Sequence, residues 1–111
     1  MSDPQLWHVT LTVGGEAHPV DEVRGALERL SEERPFMLSG RYAESRAEFS
    51  YWEEAQDLSD AAALALRLWG EHRRTAGLPA WSVTGLEVMS REEYIRRDHL
   101  LLAEPGSWQP F

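Results

Sequence analysis

The clearest pattern in the sequence is an amphipathic segment over residues 57–79, DLSDAAALALRLWGEHRRTAGLP. Alanine and leucine fill it, and its apolar residues recur at the spacing of a helix that buries one side. Asp57 or Ser59 caps its start, and Gly77, two residues before a proline, is typical of a helix end. The segment therefore predicts a helix with one buried side.

Two strands and a further helix flank this segment. Residues 6–13, LWHVTLTV, alternate apolar and polar side chains, as a half-buried strand does. Residues 20–33, VDEVRGALERLSEE, repeat valine and leucine at helical spacing and predict another helix. Residues 80–89, AWSVTGLEVM, predict the last strand, and their alternation shifts at Gly85, which indicates a β-bulge.

Residues 35–55, PFMLSGRYAESRAEFSYWEEA, predict a β-hairpin. If the chain turns at residues 44 and 45, Arg41 lies opposite Glu48, and the two should form an ion pair. The same register sets Ser39 opposite Ser50 and Leu38 opposite Tyr51. A four-residue loop with that register is an equally acceptable turn.

The resulting order, β-α-β-β-α-β, predicts an α+β domain of the ferredoxin-like sandwich type. We expect a four-stranded antiparallel sheet of strand order 4-1-3-2, with both long helices on one face. A rival interpretation makes residues 13–16, VGGE, a Gly-Gly hairpin turn that adds a short strand before the first helix. One domain should span residues 1–104.

The C-terminal end carries a short helix and an aromatic tail. Ser90 and Glu93 form a capping box, which predicts a helix that runs to about residue 103. The tail, residues 105–111, holds Trp108 and Phe111, two large apolar groups that a free tail should not expose. We expect them to anchor on the open face of the chain's own sheet or, alternatively, in a pocket of another protein.

Composition excludes several classes of chemistry. The chain has no cysteine and no lysine, which removes thiolate nucleophiles, cysteine-ligated metals and Schiff-base catalysis. The net charge is −8, and the two basic pairs, Arg73-Arg74 and Arg96-Arg97, each lie beside an acid. Nucleic acid is therefore not expected as a partner.

No metal site, cofactor or membrane segment is expected. The four histidines show no metal-binding spacing, and no run of eighteen apolar residues occurs. The first residues, MSDPQLWHV, lack the basic and apolar regions of a secretory signal, so we expect a cytoplasmic protein. The eleven basic residues are all arginine, and asparagine is absent, which favours a GC-rich genome.

The sheet face opposite the helices is the candidate site. We expect this open face to carry a polar and aromatic set that suits a ligand or partner, namely His8, Arg41, Glu48, Ser50 and Trp52. Within that set we favour the interpretation that Arg41 holds Glu48 and His8 faces water.

The expected function is a non-catalytic interaction or regulatory module that uses the open face, the aromatic tail or both. The alternative is a small dimeric α+β barrel, either an enzyme or a small-molecule-binding protein, with its site between two facing sheets. In that alternative His8 and Glu48 form an acid–base pair. A second copy of the chain or another protein is the expected partner.

The chain resembles a group of small ferredoxin-like proteins of high-GC actinobacteria for which no activity is known. The resemblance is carried by SGRY, RAEFSYWEEA, DAAALALRLWGEHR and GLEVMSREEY, about a third of the sequence. It implies the fold and the source and no activity.

Overall fold

A β-sheet covered on one side by two helices organises the chain. The computed structural model describes residues 3–33, 37–97 and 107–111, and within them five strands and three helices are formed. In chain order they are β1 (Gln5–Gly14), α1 (Val20–Glu33), β2 (Met37–Tyr42), β3 (Arg46–Ala55), α2 (Leu58–His72), β4 (Ser82–Ser90), α3 (Arg91–Arg96) and β5 (Ser107–Pro110).

The sheet has the strand order β4-β1-β3-β2-β5. The α+β class and the order of the first four strands are as predicted, and these strands pair antiparallel. The prediction of a four-stranded antiparallel sheet is wrong. Residues Ser107–Pro110, part of the predicted tail, form a fifth strand parallel to β2, because the free edge of β2 offers unpaired backbone groups.

The hairpin register is as predicted where β2 is regular. Ser39 lies opposite Ser50 and Arg41 opposite Glu48. The predicted pairing of Leu38 with Tyr51 is wrong. Tyr51 pairs with Met37, because the register shifts between Met37 and Ser39. At the other side of the sheet the register of β1 and β4 shifts next to Gly85, the position at which the sequence predicts a bulge.

The loop from β1 to α1 contains no extra strand, so the rival interpretation of residues 13–16 is wrong. Gly15 N–H donates to the Ser45 carbonyl at 3.0 Å, and His18 N–H donates to the Glu44 carbonyl at 2.8 Å. These bonds tie the loop to the β2–β3 turn, and the chain then enters α1 directly.

Caps define both ends of the predicted long helix. The Asp57 side chain accepts a hydrogen bond from Asp60 N–H at 2.8 Å, so Asp57 is the N-cap of α2. The helix ends at His72, earlier than predicted, because Arg73 N–H bonds to the Gly70 carbonyl and tightens the last turn. Gly77, with φ +65°, closes the turns that follow.

The short helix α3 also begins as predicted. Glu93 N–H donates to the Ser90 hydroxyl oxygen at 3.1 Å, which makes Ser90 its N-cap. Residues 98–103 of the predicted helix lie outside the described residues.

The main core lies between the sheet and the two long helices. Phe49 and Tyr51 at its centre are fully buried, and α1 and α2 contribute to the same cluster from one side of the sheet. Burial of side chains of this size contributes roughly 1.5–3 kcal/mol each. This leaves the opposite face of the sheet as the surface on which a function could reside.

Candidate functional site

Strand alternation decides which side chains reach the open face. Along β1 and β3 the residues that point away from the helices are the even-numbered ones. The registers set His8 opposite Trp52, Thr10 opposite Ser50, and Thr12 opposite Glu48. The two central strands therefore present an aromatic pair at one end, hydroxyls in the middle and a carboxylate at the other end.

The aromatic end is closed by α3. Tyr94 brings its ring centroid to 4.3 Å from that of His8 and 4.9 Å from that of Trp52, and the His8 and Trp52 rings are 5.0 Å apart. His8 is only 8% exposed and the neighbouring Met89 is also buried. Burial raises the pKa of the Tyr94 hydroxyl. The expectation that His8 faces water is wrong, because α3 folds back over it.

The two hydroxyl side chains in the middle of the open face form a hydrogen bond with each other. Thr10 Oγ1 and Ser50 Oγ share a hydrogen bond of 3.0 Å, and both residues are half-buried. Glu48 lies four positions along the strand from the residue that pairs with His8, a separation of about 13 Å at 3.3 Å per residue. The structure therefore does not bring His8 and Glu48 together as an acid–base pair.

The charged end of the face is open. Arg41 and Glu48 are exposed on neighbouring strands, directly opposite each other. Neither side chain takes part in an ion pair with any described residue, so the predicted pair between them is not formed. Beside them, the Arg46 guanidinium carbon lies 3.9 Å from the ring centroid of Phe111, which is 44% exposed.

The tail anchor Trp108 lies on the other side of the sheet, in the main core. Its indole Nε1–H donates to the Ser31 hydroxyl oxygen of α1 at 2.8 Å, and its ring centroid is 6.1 Å from that of Phe49. It packs over Gly40, where a Cβ would clash with the indole and lie 2.6 Å from the Glu48 carbonyl oxygen. Trp108 thus docks on its own chain, on the helix-covered face rather than on the open face.

The contacts of three residues described above were not predicted from the sequence. Tyr94 follows the Ser90 cap by four residues and so returns to the sheet after one helical turn. Gly40 interrupts an otherwise well-formed strand pattern, which is a signal of close approach by another group. Ser31 offers no signal of its own, because its role depends on a residue 77 positions later in the chain.

Neither a metal cluster nor a membrane-spanning helix occurs in the described parts of the chain. No cluster of three or more histidine, aspartate or glutamate side chains there could hold a metal ion. No helix there is long and apolar enough to cross a membrane.

Comparisons with known proteins give a family match and a structural similarity. A search of curated proteins finds no match to the sequence. The chain is similar to the structure of an acylphosphatase from Coxiella burnetii, with a TM-score of 0.44 and 14% sequence identity, over 98% of this chain and 94% of that one.

The family model described as domain of unknown function (DUF8830) matches residues 6–104. That range begins in β1 and includes every helix from α1 to α3. Because the match spans most of the sequence, this chain belongs to the DUF8830 family.

Proposed function

We propose that the protein is a non-catalytic interaction module whose open sheet face binds a second copy of the same chain. The observation that carries the proposal is the pair Arg41 and Glu48. These opposite charges lie side by side, exposed, and without an ion-pair partner among the described residues. Two unused charges of opposite sign at neighbouring positions suit a partner that presents the same two charges in reverse order.

A twofold axis supplies that reversed order. Suppose that the axis lies between the two facing sheets, runs parallel to the strands and passes over the line midway between β2 and β3. It then places Arg41 of one protomer over Glu48 of its partner, and Glu48 over the partner's Arg41. Two sheets packed face to face lie about 10 Å apart, a gap that the two long side chains can bridge. Both contacts are equivalent, as an isologous interface requires.

Charge balance also favours this face over the rest of the surface. The chain as a whole carries −8, which opposes self-association. On the open half of the face Arg41 and Arg46 offset Glu48 and Glu87. A second copy can therefore approach here with little net repulsion, while Phe111 adds an exposed apolar group to the contact.

The size of the face predicts a weak dimer. Four strands at about 4.8 Å spacing and five residues at about 3.3 Å each span roughly 19 by 17 Å. Such a contact is smaller than a permanent interface, so we expect reversible association with a Kd on the order of 100 μM.

The alternative function, an enzyme or small-molecule-binding protein with its site between two facing sheets, has less support. His8 is the residue on this face best suited to proton transfer, and it is enclosed by Trp52 and Tyr94. Thr10 and Ser50 use their hydroxyls on each other.

A charge-swap series measured by sedimentation velocity tests the dimer. Arg41→Glu and Glu48→Arg should each weaken association at least tenfold. Each variant sets like charges opposite each other at both equivalent contacts of the dimer. The double variant Arg41→Glu/Glu48→Arg should restore it. The matched control is the exposed pair Arg24 and Glu28 on α1, whose swap should leave association unchanged. A wild-type chain that stays monomeric at millimolar concentration, or a double swap that fails to recover, overturns the proposal.

A cytoplasmic location and an actinobacterial source complete the proposal. The first is supported by the absence of cysteine, and the second by an arginine-only basic composition.

A further inference from the structure

A surface cleft of about 410 Å³ lies between α1 and the segment that follows α2, on the helix side of the molecule. Asp21, Glu22, Gly25 and Arg29 of α1 line the cleft together with the segment 77–80, and His18 lines it as well. The volume falls in the range of clefts that bind small molecules.

The Arg29 guanidinium is held in place inside this cleft. Its Nε–H donates to the Ala76 carbonyl oxygen at 2.7 Å, which fixes the plane of the group. Glycines flank it on both sides: a Cβ at Gly77 would lie 3.2 Å from Nη2, and one at Gly25 would lie 3.4 Å from Nη1. Gly77 also has the positive φ that other residues rarely adopt.

The outer nitrogens of Arg29 are available to a ligand. No described carboxylate forms an ion pair with Arg29, so the four N–H groups of Nη1 and Nη2 have no charged partner in the described chain. A guanidinium with its plane fixed and its outer edge free matches the two oxygens of a carboxylate.

The other end of the cleft is acidic. Asp21 and Glu22 lie in the first turn of α1 and are exposed without an ion-pair partner among the described residues. The guanidinium lies beside Gly25, and the helix rises about 4.5–6 Å between that residue and the two acids. Leu78 and Pro79 also line the cleft and give it apolar surface.

We propose that this cleft binds a small zwitterion of the amino-acid class, with its carboxylate on Arg29 and its ammonium group beside Asp21 and Glu22. A chain of a few methylene groups between the two charges spans the gap and packs against Leu78 and Pro79. The site lies on the opposite side of the sheet from the face proposed to dimerise, so the two proposals stand or fall separately.

The test is titration of the full chain with 5-aminopentanoate, followed by the NMR shifts of the Gly25 and Gly77 amides. Saturable shifts of both amides are expected. Pentanoate and pentylamine, which each keep one charge, should bind at least tenfold more weakly. The absence of saturable shifts, or equal binding of pentanoate, overturns the proposal.

Variants locate the binding. Arg29→Gln should weaken 5-aminopentanoate at least tenfold, while the matched control Arg24→Gln, on the same helix but outside the cleft, should bind as the wild type does. Because Arg29 also supports the Ala76 carbonyl, Gly25→Leu serves as a second variant. Leucine favours helix more than glycine, so this variant should fold while its side chain fills the cleft. Wild-type affinity in either Arg29→Gln or Gly25→Leu refutes the assignment.

Discussion

Two elements that follow β4 each add one aromatic side chain to the sheet, and they do so on opposite faces. Trp108 of β5 joins the main core, where it packs with Phe49 and bonds to Ser31. Tyr94 of α3 covers His8 and Trp52 on the polar face, outside that core. Both rings are buried, but Trp108 completes the main core, whereas Tyr94 closes a local patch outside it.

The largest effect should come from Trp108→Ala. The substitution leaves a cavity over Gly40 and removes the partner of the Ser31 hydroxyl, so the free energy of unfolding should fall by about 3–5 kcal/mol. Chemical denaturation measures it. Phe111→Ala, in the same segment but largely exposed, is the matched control and should cost less than about 1 kcal/mol. Equal losses of unfolding free energy for the two variants would contradict the expectation that the Trp108 ring, and not only the strand backbone, holds β5 in place.

A smaller and more local effect should follow from Tyr94→Ala. We expect a loss of about 1–3 kcal/mol, because the ring packs on a few side chains rather than in the continuous core. Hydrogen exchange should show lost protection at Arg97, whose N–H bonds to the Glu93 carbonyl in α3. Protection of the β1 and β3 amides should persist, and Tyr94→Phe, which keeps the ring, should lose less. Loss of protection throughout the sheet would contradict the contrast between the two elements.

The smallest expected effect is a loss of α3 stability at acidic pH. The guanidinium groups of Arg97 and Arg96 hold the pKa of the Glu93 carboxyl below its ordinary value. A lowered folded-state pKa means that this contribution to α3 is fully present above the unfolded-state pKa and is lost as the pH falls through the folded-state value. The protection factor of Arg97 should therefore decrease below about pH 4.5, the ordinary value for glutamate.

A matched pair of variants isolates that acid response. Glu93→Gln should remove it, whereas the exposed neighbour Glu92→Gln, which has no ion pair among the described residues, should retain it. An unchanged acid response in Glu93→Gln would mean that another carboxylate controls α3.

Local patterns predict most of the sheet because the signals lie within a few residues of each other. The pairing of Ser39 with Ser50 follows from a single hairpin, and the Ser90 cap from the residue three positions later. The strand β5 could not be found in this way. It has four residues, includes a proline, and pairs in parallel with residues 68 positions earlier, so no local pattern predicts its partner.

For the candidate site, the sequence likewise predicts which residues share a face but not which contacts they make. Alternation along β1, β2 and β3 predicts that Arg41, Glu48, Ser50 and Trp52 share the open face with His8, and the registers set them there. Side-chain direction is a tertiary property, so the missing contact between Arg41 and Glu48 and the cover over His8 were beyond reach of the sequence.

The contact of Trp108 with Gly40 is one of two reasons why position 40 needs a glycine. A side chain there would meet the indole, and its Cβ would also lie 2.6 Å from the Glu48 carbonyl oxygen of the neighbouring strand. A smaller residue at position 108 would therefore not make room for a larger one at position 40. Among DUF8830 proteins that form this sheet, position 40 should remain glycine whatever residue position 108 carries.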